Sequence, residues 1–514
     1  MTRTGLALIA VTASVFALQV HQRCFIGDDA FISFRYARHL VNGQGLVWNP
    51  GEYVEGYTNF LWVLMMAGAI RLGLDPESAS NALGIASGAG VLILLPLLAM
   101  RVSQRPSLLV LLPSLLLAAS GTFTSWVTGG LETMWFTLLV TAALFAVIEE
   151  RRREVARPLG SAALLGLAAL TRPEGLLFAG VVGAWLAFGA VRNPREWKPL
   201  LSWGAAVCLI VGTHFVWRHA YYGAWLPNTF AAKVPAAAWD QGLKYTWHFT
   251  RAYGVPLFVP LIGLALWRKP DRDRLLVASC VTGYALYVVA IGGDRFEFRF
   301  WVPVLPLTYW LITDALDRLG LSRRLTAIIV AALLAATLHG SLESERAESP
   351  RWHGIASVSG IKAYAARRIE EGRLLQALIE TGTLDRNLVL AVTGAGAVPY
   401  YTDWPTVDRH GLNDRYIASL PLATRGVIGH ERDAPEEYLE RRKVVIDDTL
   451  NQLIFRRADR MAAAISKSGG ARPIYVVDVG DAYLVFSSFV PDAEVRREFS
   501  RLPIQTVLPG VDGP

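Results

Sequence analysis

The chain has 514 residues, 53% of them hydrophobic and only 18% charged, with a net charge of +7. A soluble domain carries nearer a quarter charged residues, and a basic nucleic-acid binder gathers its charge on one face or tail. Here the apolar residues come in blocks, such as 91–100, 108–119 and 325–338, with short basic clusters between them. That pattern excludes both a soluble enzyme and a nucleic-acid partner, and it defines an integral membrane protein. Three cysteines, Cys24, Cys208 and Cys280, are too few for a disulfide framework.

The first element is the apolar stretch 4–22 behind Arg3. No small-x-small cleavage site directly follows it, so it reads as an uncleaved first span and not as a signal peptide. The loop 23–78 comes next. Its acidic pair Asp28-Asp29 precedes an aromatic-rich helix over 30–40 that Gly43 ends. The apolar block 57–72 is shorter than the roughly 20 residues needed to cross a bilayer, so it reads as an interfacial or re-entrant helix on the outer side. Ten further spans follow at 79–100, 107–121, 131–148, 158–171, 175–191, 200–220, 254–267, 274–291, 300–317 and 323–340.

Five basic clusters lie between these blocks: Arg101 and Arg105; Arg151, Arg152, Arg153 and Arg157; Arg192, Arg195 and Lys198; Arg268, Lys269, Arg272 and Arg274; Arg318, Arg323 and Arg324. The positive-inside rule puts all five in the cytoplasm once 57–72 is held out of the count. The loops 120–132, 172–175, 221–254 and 292–299 then lie outside. After Gly340 the composition turns charged, with a helix expected over 361–380 and strands at 388–392, 443–446, 474–477 and 483–486. The expected architecture is an α-helical polytopic membrane protein of about eleven spans plus juxtamembrane helices, with a C-terminal soluble α/β domain. The domain boundary falls between 1–340 and an external 341–514.

The polar residues sort by side. Asp28, Asp29, Glu55, Asn59, Glu132, Arg172, Glu174, Asn228, Lys233, Asp294, Arg295 and Arg299 all fall in outer loops or at outer span ends. Charged groups beside a bilayer are costly unless paired or functional, and so many on one face point to a shared cavity. A helix cap explains one acid of the Asp28-Asp29 pair but not both. A carboxylate general base, with the second acid orienting it or the acceptor, explains both. Arg172 in Thr171-Arg-Pro-Glu-Gly175 is either a snorkelling arginine at a turn or an anion-binding cation. Lys233 is either a solvated loop lysine or such a cation, and Arg295 and Arg299 flanking an acid after Gly292-Gly293 favour an anion site.

Cations and carboxylates at a membrane surface suit a lipid with a phosphate headgroup, such as a polyprenyl-phosphate sugar. Its phosphate leaves without a general acid when cations stabilise the departing charge. A carboxylate on the opposite face of the sugar deprotonates the acceptor hydroxyl, giving inversion by single displacement. The sequence holds no metal cluster and no Gly-rich phosphate loop, so neither a metal nor a cofactor is expected.

The run Asp28-Asp-Ala-Phe-Ile-Ser-Phe-Arg-Tyr-Ala-Arg38, with Gly43-Gln-Gly-Leu-Val-Trp-Asn-Pro-Gly-Glu52 and Val54-Glu-Gly-Tyr-Thr-Asn59, resembles the first outer loop of bacterial GT-C glycosyltransferases. It is similar to mycobacterial terminal arabinofuranosyltransferases and related bacterial proteins. The resemblance continues through Gly130-Leu-Glu-Thr133, Thr171-Arg-Pro-Glu-Gly175, Leu226-Pro-Asn-Thr-Phe230, Lys233, Gly292-Gly-Asp-Arg295 and Arg299-Phe300. It reaches Gly396-Ala-Val-Pro-Tyr-Tyr401 and Asp408-Arg-His-Gly-Leu412 in the C-terminal part. It implies a GT-C core with two juxtamembrane helices, a polyprenyl-phosphate-sugar donor, a glycan or lipid acceptor in the cell envelope, and catalysis by the first acid of the pair, Asp28. It also implies the bacterial inner membrane, with site and C-terminal domain extracytoplasmic. The donor phosphate falls to Lys233, Arg295, Arg299 and Arg172, and the remaining polar residues to substrate. A flippase or transporter for a lipid-linked sugar, a glycan ligase, and a non-catalytic envelope scaffold are the competing readings. Transporters keep their polar sites near the midplane, where these spans carry few ionisable residues.

Overall fold

A computed structural model describes residues 3–102, 107–233, 238–346, 355–422, 430–448, 450–468 and 472–508. Arg105 of the first basic cluster lies outside the described residues. The chain divides into two compact units. The first comprises 1–26, 58–225 and 236–362, and the second 27–57, 226–235 and 363–514.

The first unit is helical, because its apolar blocks satisfy their backbone groups internally, as hydrocarbon requires. Among the described residues seven helices are long and apolar enough to cross a membrane: Arg3–Arg23, Pro76–Val102, Thr133–Arg152, Gly175–Arg192, Pro194–Tyr222, Arg272–Ile291 and Arg323–Ser344. The chain is a multi-pass membrane protein. The four other expected spans coincide with shorter helices, Leu112–Ala119, Leu159–Thr171, Val259–Arg268 and Leu305–Leu319. Three of these follow a short 3₁₀ segment, at Leu108–Leu111, Val255–Phe258 and Arg299–Val304, which lengthens the ordered stretch. The expected interfacial block is the helix Phe60–Arg71 of 12 residues, about 18 Å long at 1.5 Å per residue.

The helix ends that carry the basic clusters are tied together by acids. Asp273, only 1% exposed, takes Arg151 and Arg152 on its two oxygens, with Arg152 Nη2 at 3.0 Å. Arg274 forks onto Asp314 at 2.6 and 2.7 Å.

The second unit is built on a mixed sheet ordered β2-β1-β3-β6-β5-β7, with β4 also pairing β6. Its strands are β1 (Leu390–Val392), β2 (Thr406–Asp408), β3 (Ile446–Asp447), β4 (Ile454–Phe455), β5 (Ile474–Asp478), β6 (Tyr483–Ser487) and β7 (Ile504–Val507). Strand β1 runs parallel to both neighbours, with Leu390 opposite Thr406 and Ile446. The other pairings are antiparallel. One core forms around Ala391, Val407, Ile417, Leu439 and Val444, and another around Phe455, Ile465, Ile474, Val476 and Val485. The expected strands at 388–392, 443–446, 474–477 and 483–486 correspond to β1, β3, β5 and β6. The sequence reading missed β2, β4 and β7, which are two to four residues long and too short to show alternation.

Segments 27–57 and 226–235, expected within the 1–340 domain from composition, group with 363–514 in the second compact unit. Composition records hydropathy, whereas this packing rests on particular contacts. Arg35, fully buried on the helix Ala30–Val41, donates to the carbonyls of Trp48 and Trp404 at 2.7 and 2.8 Å and to that of Pro399. Asn49 accepts the Thr406 N–H at 3.1 Å and donates to the Thr406 carbonyl at 2.8 Å.

Candidate functional site

Asp28 belongs to the second unit, in the turn before the helix Ala30–Val41, and is 6% exposed. Its Oδ1 accepts the N–H of Ala397 at 2.9 Å. Asp29 occupies the N-cap position without a side-chain cap bond, so helix capping does not account for the acidic pair. The turn that receives Asp28 is Gly394-Ala395-Gly396, directly after β1. A Cβ on Gly396 would lie 2.0 Å from the Asp28 carbonyl oxygen, so no other residue fits there. A Cβ on Gly394 would lie 2.3 Å from the Tyr364 hydroxyl and 3.4 Å from Asp28 Oδ2.

Arg368 lies fully buried on the helix Val358–Glu380. Its Nη1 meets Glu371 at 2.8 Å and its Nη2 meets Asp448 at 2.9 Å, and the Asp28 charge also acts on it. Burial pushes Asp448 up to about 6 and Glu371 up to about 7, against the pull of Arg368. Sequence reasoning missed Arg35, Arg368, Glu371 and Asp448, because an isolated charge in a soluble segment reads as solvated surface. The repeated glycine of Gly394-Ala-Gly396 was the one available signal.

Two other expected residues of this unit act as staples. Asn228 donates its side-chain amide to the carbonyls of Gly411 and Leu412 at 2.9 and 3.0 Å, and its N–H to the Glu55 carbonyl at 3.0 Å. Glu55 is 3% exposed. Lys233 ends the helix Asn228–Lys233, half-buried.

In the first unit Arg172 sits in the turn between Leu159–Thr171 and Gly175–Arg192. Its Nη1 meets Glu132 Oε1 at 2.6 Å, and its Nη2 and Nε fork onto Glu174 at 2.9 and 3.3 Å. Asn59 donates to the other oxygen of Glu132 at 2.8 Å. These two carboxylates hold the Arg172 guanidinium protonated against the opposing effect of burial. Gly175 is required here, since its Cβ would lie 2.3 Å from the Ala169 nitrogen. The structure therefore brings Asn59, Glu132, Arg172 and Glu174 into one network.

The loop 292–299 of the same unit carries Asp294, Arg295 and Arg299. Arg299 Nε pairs with Asp294 Oδ2 at 2.7 Å, and its guanidinium lies over the rings of Phe296 and Trp126 at 4.7 and 5.5 Å. Arg295 lies over Phe296 at 4.4 Å, and its carbonyl accepts the Ala356 N–H at 2.7 Å. Buried Glu297 anchors the loop. Its backbone carbonyl accepts Trp126 Nε1 at 2.8 Å and its carboxylate accepts the Thr122 hydroxyl. Burial lifts Glu297 to about 7. Among the described residues no group of three or more His, Cys, Asp or Glu is placed to hold a metal.

The fold is of the GT-C membrane type. The chain superposes on ArnT from Cupriavidus metallidurans bound to undecaprenyl phosphate with a TM-score of 0.58 at 15% identity, covering 96% of this chain and 99% of that one. It superposes on the oligosaccharyltransferase AglB from Archaeoglobus fulgidus, solved with an inhibitory peptide and a dolichol-phosphate, with a TM-score of 0.55 at 10% identity. That match covers 95% of this chain and 75% of AglB.

In sequence the chain resembles terminal β-(1→2)-arabinofuranosyltransferases. It is 28% identical to that of Corynebacterium glutamicum over 345 residues, covering 58% of this chain and 49% of the relative. It is 28% identical to that of Mycobacterium tuberculosis over 333 residues, covering 60% and 52%. The chain thus spans about half the length of these curated relatives. Residues 362–497 match a family described as a domain of unknown function (DUF8728).

Proposed function

We propose that the protein is an inverting glycosyltransferase that moves a sugar, of pentofuranose type, from a polyprenyl-phosphate donor to a glycan or lipid acceptor on the outer face of the inner membrane. The observation that carries this reading is the buried Asp28 carboxylate, fixed by one backbone N–H, in a chain similar to arabinofuranosyltransferases. Likeness to folds solved with undecaprenyl phosphate and dolichol-phosphate supports the donor class.

Asp28 takes the proton of the acceptor hydroxyl as its oxygen bonds to the anomeric carbon. The bond from that carbon to the phosphate oxygen breaks, and polyprenyl phosphate leaves with the electron pair. Arg295, Arg299 and Lys233 stabilise the charge on the leaving phosphate. Arg172, already held by Glu132 and Glu174, contributes by fixing the shape of its turn. Asp29, Glu55, Asn59, Asn228 and Asp294 complete the substrate-binding set.

The test is transfer from a defined polyprenyl-phosphate pentofuranose by the full chain in detergent. Asp28→Asn keeps the shape but takes no proton, and a loss of about a hundredfold or more is expected with folding intact. Near-normal turnover in that variant would move the base to Asp29 or Glu55. Orientation is tested separately, by impermeant thiol labelling of single cysteines in a background lacking Cys24, Cys208 and Cys280. Outside labelling is expected at positions 233 and 420 and none at 153. Outside labelling at 153 would overturn the orientation.

A further inference from the structure

The second unit holds a cavity of ≈ 650 Å³ that none of the roles above uses. It is lined by Thr393, Arg409, His410, His430, Asp433 and Asp448 among others. Three of its walls follow or end the parallel strands: Thr393 after β1, Arg409 and His410 after β2, and Asp448 after β3. Parallel strands place ligand sites beyond their carboxyl ends, where loops diverge and backbone groups point outward.

The walls are held in place before any ligand arrives. Arg409 bridges Asp433 and Asp447, each at 2.8 Å, and so sets two loops at fixed spacing. The His410 and His430 rings stack at 4.4 Å, and His410 Nδ1 lies 2.8 Å from the Arg432 carbonyl. The lining offers a hydroxyl, two imidazoles, the carboxylates of Glu431, Asp433 and Asp448 and the guanidiniums of Arg409 and Arg432, with Leu420 and Pro421 as a small apolar wall. Such a mixture suits a chain of vicinal hydroxyls, whose ring faces pack on a small apolar wall, better than an acyl tail, which needs continuous apolar walls, or a phosphate, since three carboxylates face two guanidiniums.

The turn after β1 ties this cavity to Asp28. Thr393 lines the cavity, while Gly394, Gly396 and Ala397, one to four residues further on, form the cradle of Asp28. Arg368 links them a second time, since it pairs with Asp448 and feels the charge of Asp28.

We infer that the cavity at the carboxyl ends of β1, β2 and β3 is the subsite for the acceptor glycan, which it grips so that one hydroxyl is presented to Asp28. The inference rests on the glycosyltransferase reading. Because the cavity adjoins the turn that cradles the base, binding the acceptor and orienting its hydroxyl become one event.

The experiment uses the full chain in detergent with an octyl α-arabinofuranosyl trisaccharide as probe. Binding is followed by saturation-transfer NMR and transfer by radiolabel from the polyprenyl-phosphate donor. His430→Ala and Thr393→Val alter two separate walls, and thermal unfolding confirms that each variant is folded. Each is expected to raise the acceptor KM about five- to tenfold, the size of one or two lost hydrogen bonds, with the donor KM within twofold. Asp28→Asn is expected to abolish transfer yet keep probe binding. If both wall variants are folded and leave acceptor KM and probe binding within twofold of wild type, the cavity is not the acceptor subsite. A wild-type chain that shows no probe binding would equally overturn the assignment. If wild type binds the probe, the wall variants lose it, and no transfer occurs from any polyprenyl-phosphate sugar, the subsite stands and the glycosyltransferase reading fails.

Discussion

Each unit buries an arginine between two carboxylates, and the two triads are assembled differently. In the first unit Arg172 takes Glu174 from its own turn and Glu132 from the neighbouring helix end. In the second, Arg368 takes Glu371 from its own helix and Asp448 from the end of β3. The first is a local clamp on a turn between helices. The second ties a helix to the sheet, next to the turn that cradles Asp28. The contrast separates charge used to hold a shape from charge that also acts on Asp28.

Removing either guanidinium tests the comparison most severely. Arg172→Met and Arg368→Met each strand two buried carboxylates, and a loss of about 3–5 kcal/mol is expected for breaking a buried ion pair. Thermal unfolding in detergent at pH 8 measures it. For Arg368→Met the deficit should shrink at pH 5. Glu371 and Asp448 stand at about 7 and 6 even with Arg368 present, so both take up protons there once it is removed. Arg368→Met should therefore recover much of its stability at pH 5. An equal deficit at both pH values would mean that those acids stay charged.

A smaller effect is expected at the donor. Lys233 is half-buried in the second unit, and Arg295 stacks on Phe296 in the first. Lys233→Ala and Arg295→Ala should each raise the donor KM about tenfold with little change in unfolding temperature, the size of one charge-assisted hydrogen bond. If the double variant uses donor normally, the phosphate contact passes to Arg299.

The helices of the first unit were legible because hydropathy acts locally, and every expected span coincides with a helix. The Arg172 turn was legible for the same reason, since Glu174 is two residues away. Glu132, 40 residues away, was recognised as a polar outer residue but not as a partner. The cradle of Asp28 was hidden. Its N–H donor, Ala397, lies 369 residues away, and no local pattern encodes a contact of that range. Arg368 shows the same limit from the other side, for nothing in the sequence of the helix Val358–Glu380 marks one of its several arginines as fully buried.

The remaining effect concerns pH and distinguishes the two units. Glu371 faces Arg368, Asp448 and Arg367, and burial outweighs those cations, raising it from 4.5 to about 7. Glu297 in the first unit faces Thr122, Trp126 and the more distant Arg23, and it too rises to about 7. A raised carboxyl pKa means that the folded state holds its proton where the unfolded chain has released it. This contribution to stability is fully present below the unfolded value of about 4.5 and is lost as pH rises through about 7. Unfolding temperature should therefore fall between pH 5 and 8, by the equivalent of about 2 kcal/mol for each group. Glu371→Gln should flatten the slope reported by a probe in the second unit, and Glu297→Gln the slope reported by one in the first. If Glu297→Gln alone removes the dependence from both probes, the second-unit acids are ionised throughout the range, and the field at Asp28 is set without their protons.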